Sequence, residues 1–308
     1  MIASTFGTHA ISDAHTHFFD KSFLAGLGKQ LGLGPQAAGE VARRLGWNEP
    51  ADDPAELGRA WVAEMDRHGV DRMVSIHTLP GDLDSAAKGI AAAGGRLIGY
   101  AMVNPLDPNA PAVAERAATE LGFRGIALFP AMFGFSVASD AASAVLDVAN
   151  RHGLNVFIHC GVLKVGFRTK LGLPCAFDMT LSNPLALAKP AAQFPRAKFI
   201  VPHLGSGYFR ELLMLADMAP NVYADTSGVA GWAKYLDGNP SPVTVLRQAV
   251  DVMGSRRLLF GSDSTFFPRG WRHDIFERQL QLFEEAKLSA EDVGRILGGN
   301  MEEIVGSN

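Results

Sequence analysis

Short, nearly continuous apolar runs alternate along the chain with Ala-, Leu- and Glu-rich segments, each long enough for one helix. Continuous apolar runs, as opposed to strict alternation of apolar and polar residues, are typical of strands buried on both faces. The predicted strands are residues 10–15, 72–77, 96–104, 123–129, 155–160, 198–203, 221–227 and 257–263. Residues 140–153 are an example of the helical segments between them.

This alternation predicts right-handed βαβ units and a parallel sheet. Eight such units in 308 residues predict the α/β class and a (β/α)8 TIM barrel, with residues 1–308 as a single domain. A doubly wound open sheet is the alternative. It is disfavoured because no Gly-rich phosphate-binding sequence follows the first strand.

Residues 18–54 fit no barrel element and contain the Gly-rich sequence "GLGKQLGLGP". An insertion of this length is usually an active-site lid or a disordered loop. We expect a lid, because the segment leaves the barrel directly after a strand that carries two histidines.

Composition places the chain among soluble globular proteins, with 47% hydrophobic and 19% charged residues. A net charge of −4 gives no reason to expect nucleic acid or an anionic membrane as a partner. No apolar stretch is long enough to cross a bilayer, and no signal peptide is visible. Because Cys160 and Cys175 form neither a disulfide framework nor a CxxC pair, a reducing, cytoplasmic location is the expectation.

The sequence "ISDAHTHFFD" places His15 and His17 two residues apart at the first predicted strand. Side chains two apart in a strand point to the same side, so both imidazoles can share a cation. Two polar residues at the start of a loop are the alternative interpretation. The other strands provide the context that decides between the two.

Polar residues also follow the later strands, and barrel active sites form where the carboxyl ends of the strands converge. These residues are His77, His159, His203, Asp225 and Asp263. Three imidazoles and a carboxylate are a suitable ligand set for zinc or a similar divalent ion. Each residue alone is more often structural, but their placement at the same end of several strands favours a metal site. Asp225 is expected either to orient a ligand imidazole or to make a structural hydrogen bond.

The sequences "DAHTH", "FIHCG", "VPHLGSG", "LLFGSDS" and "ILGGNMEEIVG" resemble the amidohydrolase superfamily, in its amidohydrolase-related (amidohydrolase 2) branch. The resemblance covers nearly the whole chain. It implies that His15, His17, His159 and Asp263 bind one divalent metal, with Zn²⁺ as the expected ion. It also implies that His203 is an acid/base or electrophilic residue, or a further ligand.

Binuclear members of the superfamily place a carboxylated lysine or a glutamate at the end of strand four. Here Leu128 and Phe129 occupy that position, and neither can bridge two metals. Lys164 lies in a loop beyond strand five and is a poor substitute. One metal ion is therefore expected.

The first functional hypothesis is hydrolysis of an amide, ester or lactone by metal-activated water. Asp263 would then take the proton of the water, and His203 would polarise the carbonyl. The alternative is a metal-dependent nonoxidative decarboxylase of a carboxylated ring or enoic acid, which occurs in the same branch. A barrel that has lost catalysis and only binds a ligand is the third hypothesis.

Basic residues after strands five and eight predict a small anionic substrate, because arginine binds carboxylates well. They are Arg168, Lys170, Arg269 and Arg272. We assign Arg168 and Arg269, together with His77, to substrate binding. Aromatic residues that could wall the pocket are Phe18, Phe19, Phe133, Phe135, Phe266 and Trp271. The resemblance also suggests a homodimer.

Overall fold

A computed structural model describes residues 2–34, 36–77 and 83–306 of the chain. Its strands are β1 Ile2–Ser4, β2 Gly7–His9, β3 Ser12–Phe18, β4 Arg72–His77, β5 Leu97–Met102, β6 Gly125–Leu128, β7 Asn155–Ile158, β8 Lys198–Val201, β9 Val222–Asp225, β10 Leu258–Leu259 and β11 Ser264–Thr265. β1 and β2 form an antiparallel hairpin. The other nine form one sheet in the order β10-β9-β8-β7-β6-β5-β4-β3-β11, with parallel pairing throughout.

The sheet closes on itself because β10 and β11 are two parts of one strand position. β10 pairs with β9, and β11 pairs with β3. Between the two parts, Ala14 N donates to Phe260 O at 2.8 Å and Asp263 N donates to His15 O at 2.9 Å. These bonds join the first and last strand positions, so the predicted (β/α)8 barrel is confirmed.

Most predicted strands differ from the observed ones by one to three residues at their ends, and two of the differences affect the site. The first barrel strand, β3, begins at Ser12 and continues to Phe18, with a shift of its pairing to β4 between Asp13 and Thr16. His15 and His17 therefore lie within the strand and not at its end. The eighth strand is interrupted at residues 260–263, where Asp263 adopts a left-handed backbone with φ of 55°.

Helices cover the outside of the barrel and the connections at its mouth. They are α1 Lys21–Gln30, α2 Ala37–Leu45, α3 Pro54–His68, α4 Asp84–Ala92, α5 Ala110–Thr119, α6 Pro130–Phe133, α7 Asp140–His152, α8 Gly166–Lys170, α9 Ala188–Gln193, α10 Phe209–Met218, α11 Val229–Trp232, α12 Pro242–Met253, α13 Phe266–Arg269, α14 His273–Ala286, α15 Ala290–Gly294 and α16 Asn300–Val305. Short 3-10 turns span Met179–Ser182, Pro184–Leu187, Pro202–Gly205, Ala233–Tyr235 and Ser255–Arg257, and a π-helical turn spans Arg295–Gly299.

The helix ends follow from local chemistry. Ser139 caps α7 by accepting a hydrogen bond from Ala142 N, and Gly153 ends the helix in the left-handed conformation. The predicted helix over 140–153 is therefore confirmed. In the described part of the chain, no helix is long and apolar enough to cross a membrane.

The core has two layers. Inside the barrel, apolar side chains such as Val74, Ile76 and Phe157 fill the ring, and all three are fully buried. Outside it, a larger apolar cluster joins the outer strand faces to the helices. This double burial explains why the strands read as continuous apolar runs.

The predicted insertion at residues 18–54 contains two helices, α1 and α2, among its described residues. α1 and α2 pack against each other and enclose an apolar cluster of their own, which includes Phe23, Leu27 and Val41. Leu171, which follows α8, joins this cluster. The insertion is therefore a folded helical hairpin beside the loop that follows β7.

Candidate metal centre and active site

Two imidazoles of β3 face the carboxylate that interrupts the eighth strand. The ring centroids of His15 and His17 are 5.3 Å apart. Asp263 Oδ1 lies 3.4 Å from His15 Nε2 and 3.2 Å from His17 Nε2. One ligand atom from each of these residues lies within 4.8 Å of the other two, which is a spacing that one cation can bridge. The barrel closure thus brings together residues that are about 250 positions apart in sequence.

His15 is oriented from behind by Asp225, the last residue of β9. His15 Nδ1 donates to Asp225 Oδ2 at 2.9 Å, and both side chains are buried. This bond leaves Nε2 of His15 directed at Asp263. A carboxylate that holds the second nitrogen of a histidine is a common support for a metal ligand.

Burial and charge act against each other at these groups. Burial alone would lower the pKa of His15, but the carboxylates of Asp225 and Asp263 outweigh it and raise that pKa to about 9. Burial likewise would raise the pKa of Asp225, but His15 outweighs it and lowers that pKa to about 2. Burial lowers the pKa of His17 and lowers that of His159 to about 3, so both are neutral imidazoles. Neutral imidazole is the form that binds a metal.

An unsatisfied nitrogen of His159 also fits a bound cation. Nδ1 of His159 is buried and has no hydrogen-bond partner among the described residues. His159 stacks on Phe129, with ring centroids 5.7 Å apart, and lies 5.4 Å from the ring of His203. It lines the same cavity but is outside the close cluster of His15, His17 and Asp263. The donor set of imidazoles and a carboxylate fits a divalent metal.

His203 lies in the 3-10 turn after β8, and Ser227 determines which ring nitrogen of His203 carries the proton. The hydroxyl of Ser227 donates to Asp225 Oδ1 in a short hydrogen bond, and Ser227 Oγ lies 2.7 Å from His203 Nδ1. Because the single hydroxyl proton goes to the carboxylate, Ser227 Oγ accepts from His203 Nδ1–H. Burial lowers the pKa of His203, so its Nε2 carries a lone pair. That nitrogen can accept a proton or act as a ligand.

Left-handed backbone is concentrated at this site. Non-glycine residues with positive φ include His203, Leu204, Ser206 and Asp263, with φ between 43° and 55°. Such conformations are uncommon for residues with a side chain and are retained where the surrounding structure holds them. Gly161 supports this packing, since a Cβ there would lie 2.2 Å from Gly205 O. The loop after β7 is thereby held against the turn that carries His203.

These groups open into one cavity of about 490 Å³ at the carboxyl end of the barrel. Apolar walls come from Phe19, Met102, Phe129, Met132, Phe167 and Trp232, and cationic side chains from Lys164, Lys234, Arg269 and Arg272. Asp263 is 48% exposed at its side chain and faces this space. The cavity size suits one ring-sized molecule.

Two residues assigned to substrate binding lie outside this cavity lining. Arg168, in α8, donates to Gln30 Oε1 at 2.9 Å and to Pro174 O at 3.1 Å, so it points to the helical hairpin. His77 is fully buried in β4. Of the three, only Arg269 reaches the cavity. Proximity in sequence to His159 does not determine the direction of the Arg168 side chain.

Most of the aromatic residues expected to wall the pocket pack elsewhere. Of that set only Phe19 lines the cavity, whereas Phe18, for example, is fully buried in the outer apolar cluster. Lys234, Tyr235 and Ser227 were not anticipated from the sequence. Ser227 lies two residues after Asp225, and this spacing is the one signal that could have indicated it.

A family model described as "Amidohydrolase" matches residues 12–306 of the chain. The chain belongs to the amidohydrolase family. This amidohydrolase is 34% identical over 91 residues to Protein fluG of Emericella nidulans, a match that covers 30% of the chain and 10% of that protein.

Solved structures similar to this amidohydrolase include enzymes of two reaction types. A 5-carboxyvanillate decarboxylase from Sphingomonas paucimobilis has a TM-score of 0.66 and 19% identity, over 97% of this chain and 99% of that chain. A dihydroxybenzoic acid decarboxylase from Polaromonas, with bound manganese and the inhibitor 2-nitroresorcinol, has a TM-score of 0.62 and 18% identity, over 97% of each chain. A probable 2-pyrone-4,6-dicarboxylic acid hydrolase from Acinetobacter baumannii, with citric acid bound, has a TM-score of 0.59 and 16% identity, over 96% of this chain and 99% of that chain. At these identities the likeness concerns the fold.

Proposed function

We propose that this amidohydrolase hydrolyses an amide, ester or lactone in a small carboxylated substrate, using one divalent metal ion. The observation that carries the proposal is the position of Asp263 Oδ1, within 3.4 Å of Nε2 of both His15 and His17. The same carboxylate is half exposed to the cavity, so water can reach it. A carboxylate placed beside both a metal site and solvent is suited to general acid/base work.

His15, His17 and Asp263 would hold the metal, with His159 as the fourth residue assigned to it. When bound, a divalent metal in such a site activates water and polarises a carbonyl. Asp263 accepts the proton of the attacking water and returns it to the leaving group. His203 Nε2 is available to hydrogen-bond the reacting oxygen once it is protonated, and Arg269 at the rim attracts the substrate carboxylate.

Zinc is the ion that we assign, because imidazole and carboxylate donors suit it. The same donors also suit manganese, which is present in the Polaromonas neighbour. Metal analysis of the purified protein separates the two. The position of Leu128 and Phe129 at the end of β6, where neither side chain offers a ligand, supports one ion per chain.

Decarboxylation is the second candidate, and two observations favour it. Both the Sphingomonas and the Polaromonas neighbours are decarboxylases of aromatic acids. The cavity also has flat apolar walls, from Phe129, Phe167 and Trp232, that can enclose a ring. In that reaction Asp263 would take up a proton from the solvent that reaches it and transfer it to the ring carbon. The bond from that carbon to the carboxylate breaks, and carbon dioxide leaves.

The hairpin of α1 and α2 is assigned the role of a lid. Phe19, which leads into α1, and Phe167, which begins α8 with Gly166, both line the cavity, and their rings make an edge contact at 5.5 Å. This contact joins the hairpin to the loop after β7 at the cavity mouth. A lid in this position would control the access of water to Asp263.

The test uses the metal-loaded enzyme with aryl lactones and esters, and separately with hydroxylated aromatic acids. In water enriched with ¹⁸O, hydrolysis incorporates the label into the new carboxylate. Release of carbon dioxide without label incorporation would replace the first candidate with the second. D263N is expected to lose turnover by either reaction, because its amide can neither accept the proton of water nor supply a proton to a ring carbon. D292N, at a helix cap outside the cavity, is the matched control and should retain it.

A further inference from the structure

Two lysines converge on one tyrosine at the cavity mouth. Lys164 follows β7, and its Nζ lies 3.5 Å from Tyr235 Oη. Lys234 lies in the 3-10 turn after α11, with its Nζ 5.3 Å from the centroid of the Tyr235 ring. All three side chains line the cavity, and Tyr235 is 47% exposed. Two loops from different barrel strands thus present cations to the same space.

Within the part of the chain that the structure describes, these two lysines have no carboxylate counter-ion. Among the described residues no carboxylate forms an ion pair with Lys164 or Lys234. By contrast, Arg272 in the same cavity forms two hydrogen bonds with the carboxylate of Asp274, at 2.6 and 2.7 Å. Like charges gathered without a counter-ion repel each other, and an anionic ligand relieves that repulsion.

Arg269 is a further cation of the cavity lining. Arg269, which ends α13 after the eighth strand, also lines the cavity and makes no ion pair in the described part of the chain. The carboxylate within this lining is that of Asp263, which is engaged with His15 and His17. One substrate carboxylate at Arg269 and the metal cluster would therefore leave Lys164 and Lys234 without an anion.

We propose that Lys164, Lys234 and Tyr235 bind a second anionic group, so that the substrate is a ring that carries two carboxylates. This inference rests on the proposed function, because it assumes that the first carboxylate binds near the metal cluster. Phe129 and Trp232 line the same cavity and offer apolar surface to the ring. Tyr235 contributes its hydroxyl as a hydrogen-bond donor beside Lys164.

The test compares benzoate with benzene-1,3- and benzene-1,4-dicarboxylate as ligands of the manganese-loaded protein, by isothermal titration calorimetry. We expect the better dicarboxylate to bind at least about tenfold more tightly than benzoate, since it gains a charge-assisted contact. In K164M and K234M that advantage should fall to less than about threefold, with benzoate affinity unchanged. K189M removes one exposed lysine of α9 outside the cavity and should behave like the unchanged protein.

The results that would contradict the second anion site differ from those that would contradict the proposed function. Equal affinity for benzoate and both dicarboxylates, with metal-dependent binding, would overturn the second anion site and leave the function standing. Equal loss of benzoate and dicarboxylate affinity in K234M would also overturn it. Binding of none of the three probes to the metal-loaded protein would overturn both. Circular dichroism of each variant checks that the fold is retained.

Discussion

Replacing Asp225 by asparagine keeps the volume of the side chain and changes which ring nitrogen of His15 carries a proton. The carboxylate accepts from His15 Nδ1 at 2.9 Å, from His203 N at 3.0 Å and from Ser227 N at 2.9 Å. The oxygen of asparagine can still accept from the two backbone N–H groups. Its NH₂ group then faces His15 Nδ1 and donates to it. The proton of a neutral His15 is thereby moved to Nε2, which is the atom directed at the metal cluster.

The magnitude follows from the role of the carboxylate. Loss of a carboxylate that orients a metal-ligating histidine typically costs about 10–100-fold in metal affinity. That corresponds to about 1.4–2.7 kcal/mol of binding free energy. D225N is therefore expected to bind Mn²⁺ or Zn²⁺ with a Kd raised by about one to two orders of magnitude.

The assay is metal binding by competition with a chromogenic chelator, together with circular dichroism to verify the fold. D292N is the control, because the carboxylate of Asp292 accepts hydrogen bonds from Ser289 Oγ and Ser255 Oγ at the start of α15, outside the cavity. If folded D225N bound the metal with the affinity of the unchanged protein, the inferred orientation of His15 by Asp225 would be refuted.

Two further predictions concern the same site. Without metal, the pKa of His15 is raised to about 9, and a bound metal requires the neutral form of this residue. Metal affinity, measured by chelator competition at each pH, should therefore rise about tenfold per pH unit between pH 6 and 8. An affinity that does not change with pH would contradict this. G161A places a Cβ 2.2 Å from Gly205 O at a φ of 77°. It should lower the free energy of unfolding, measured by urea denaturation, by about 2 kcal/mol or more. G166A, which has open space at its Cβ, should change that free energy by less than about 1 kcal/mol.

The strand pattern could be predicted because each barrel strand is buried on both faces. β4 at Arg72–His77 has the predicted bounds. The eighth strand could not be predicted as two parts, because its interruption depends on the left-handed backbone of Asp263 and on the hydrogen bond from Asp263 N to His15 O. Both are tertiary features that no local pattern carries.

The helical hairpin was obscured by its glycines. Gly28 lies inside α1, where glycine usually disfavours a helix. Here a Cβ would lie 2.3 Å from Cβ of Ala37, so glycine allows α1 and α2 to approach closely. In this Gly-rich sequence, Gly28 therefore forms a contact between two helices. Residue propensity alone would have indicated a loop.

The candidate site, like the fold, could be predicted from the sequence only in part. His15, His17 and Asp263 could be predicted to meet because the carboxyl-terminal parts of the strands converge in a barrel, and their contact distances agree with that reasoning. The direction of a long side chain on a loop could not be predicted. Arg168 and Lys234 both follow barrel strands, yet Arg168 contacts the hairpin and Lys234 lines the cavity.

The most direct test of the metal centre is the stoichiometry of bound metal in the purified protein and in the double variant H15A/H17A. Inductively coupled plasma mass spectrometry after dialysis against Mn²⁺ or Zn²⁺ measures it, with H152A, which removes an exposed histidine of α7, as the control. We expect one ion per chain in the unchanged protein and in H152A, and less than about a tenth of an ion in H15A/H17A. An equal metal content in all three proteins would contradict the assignment of these imidazoles as ligands.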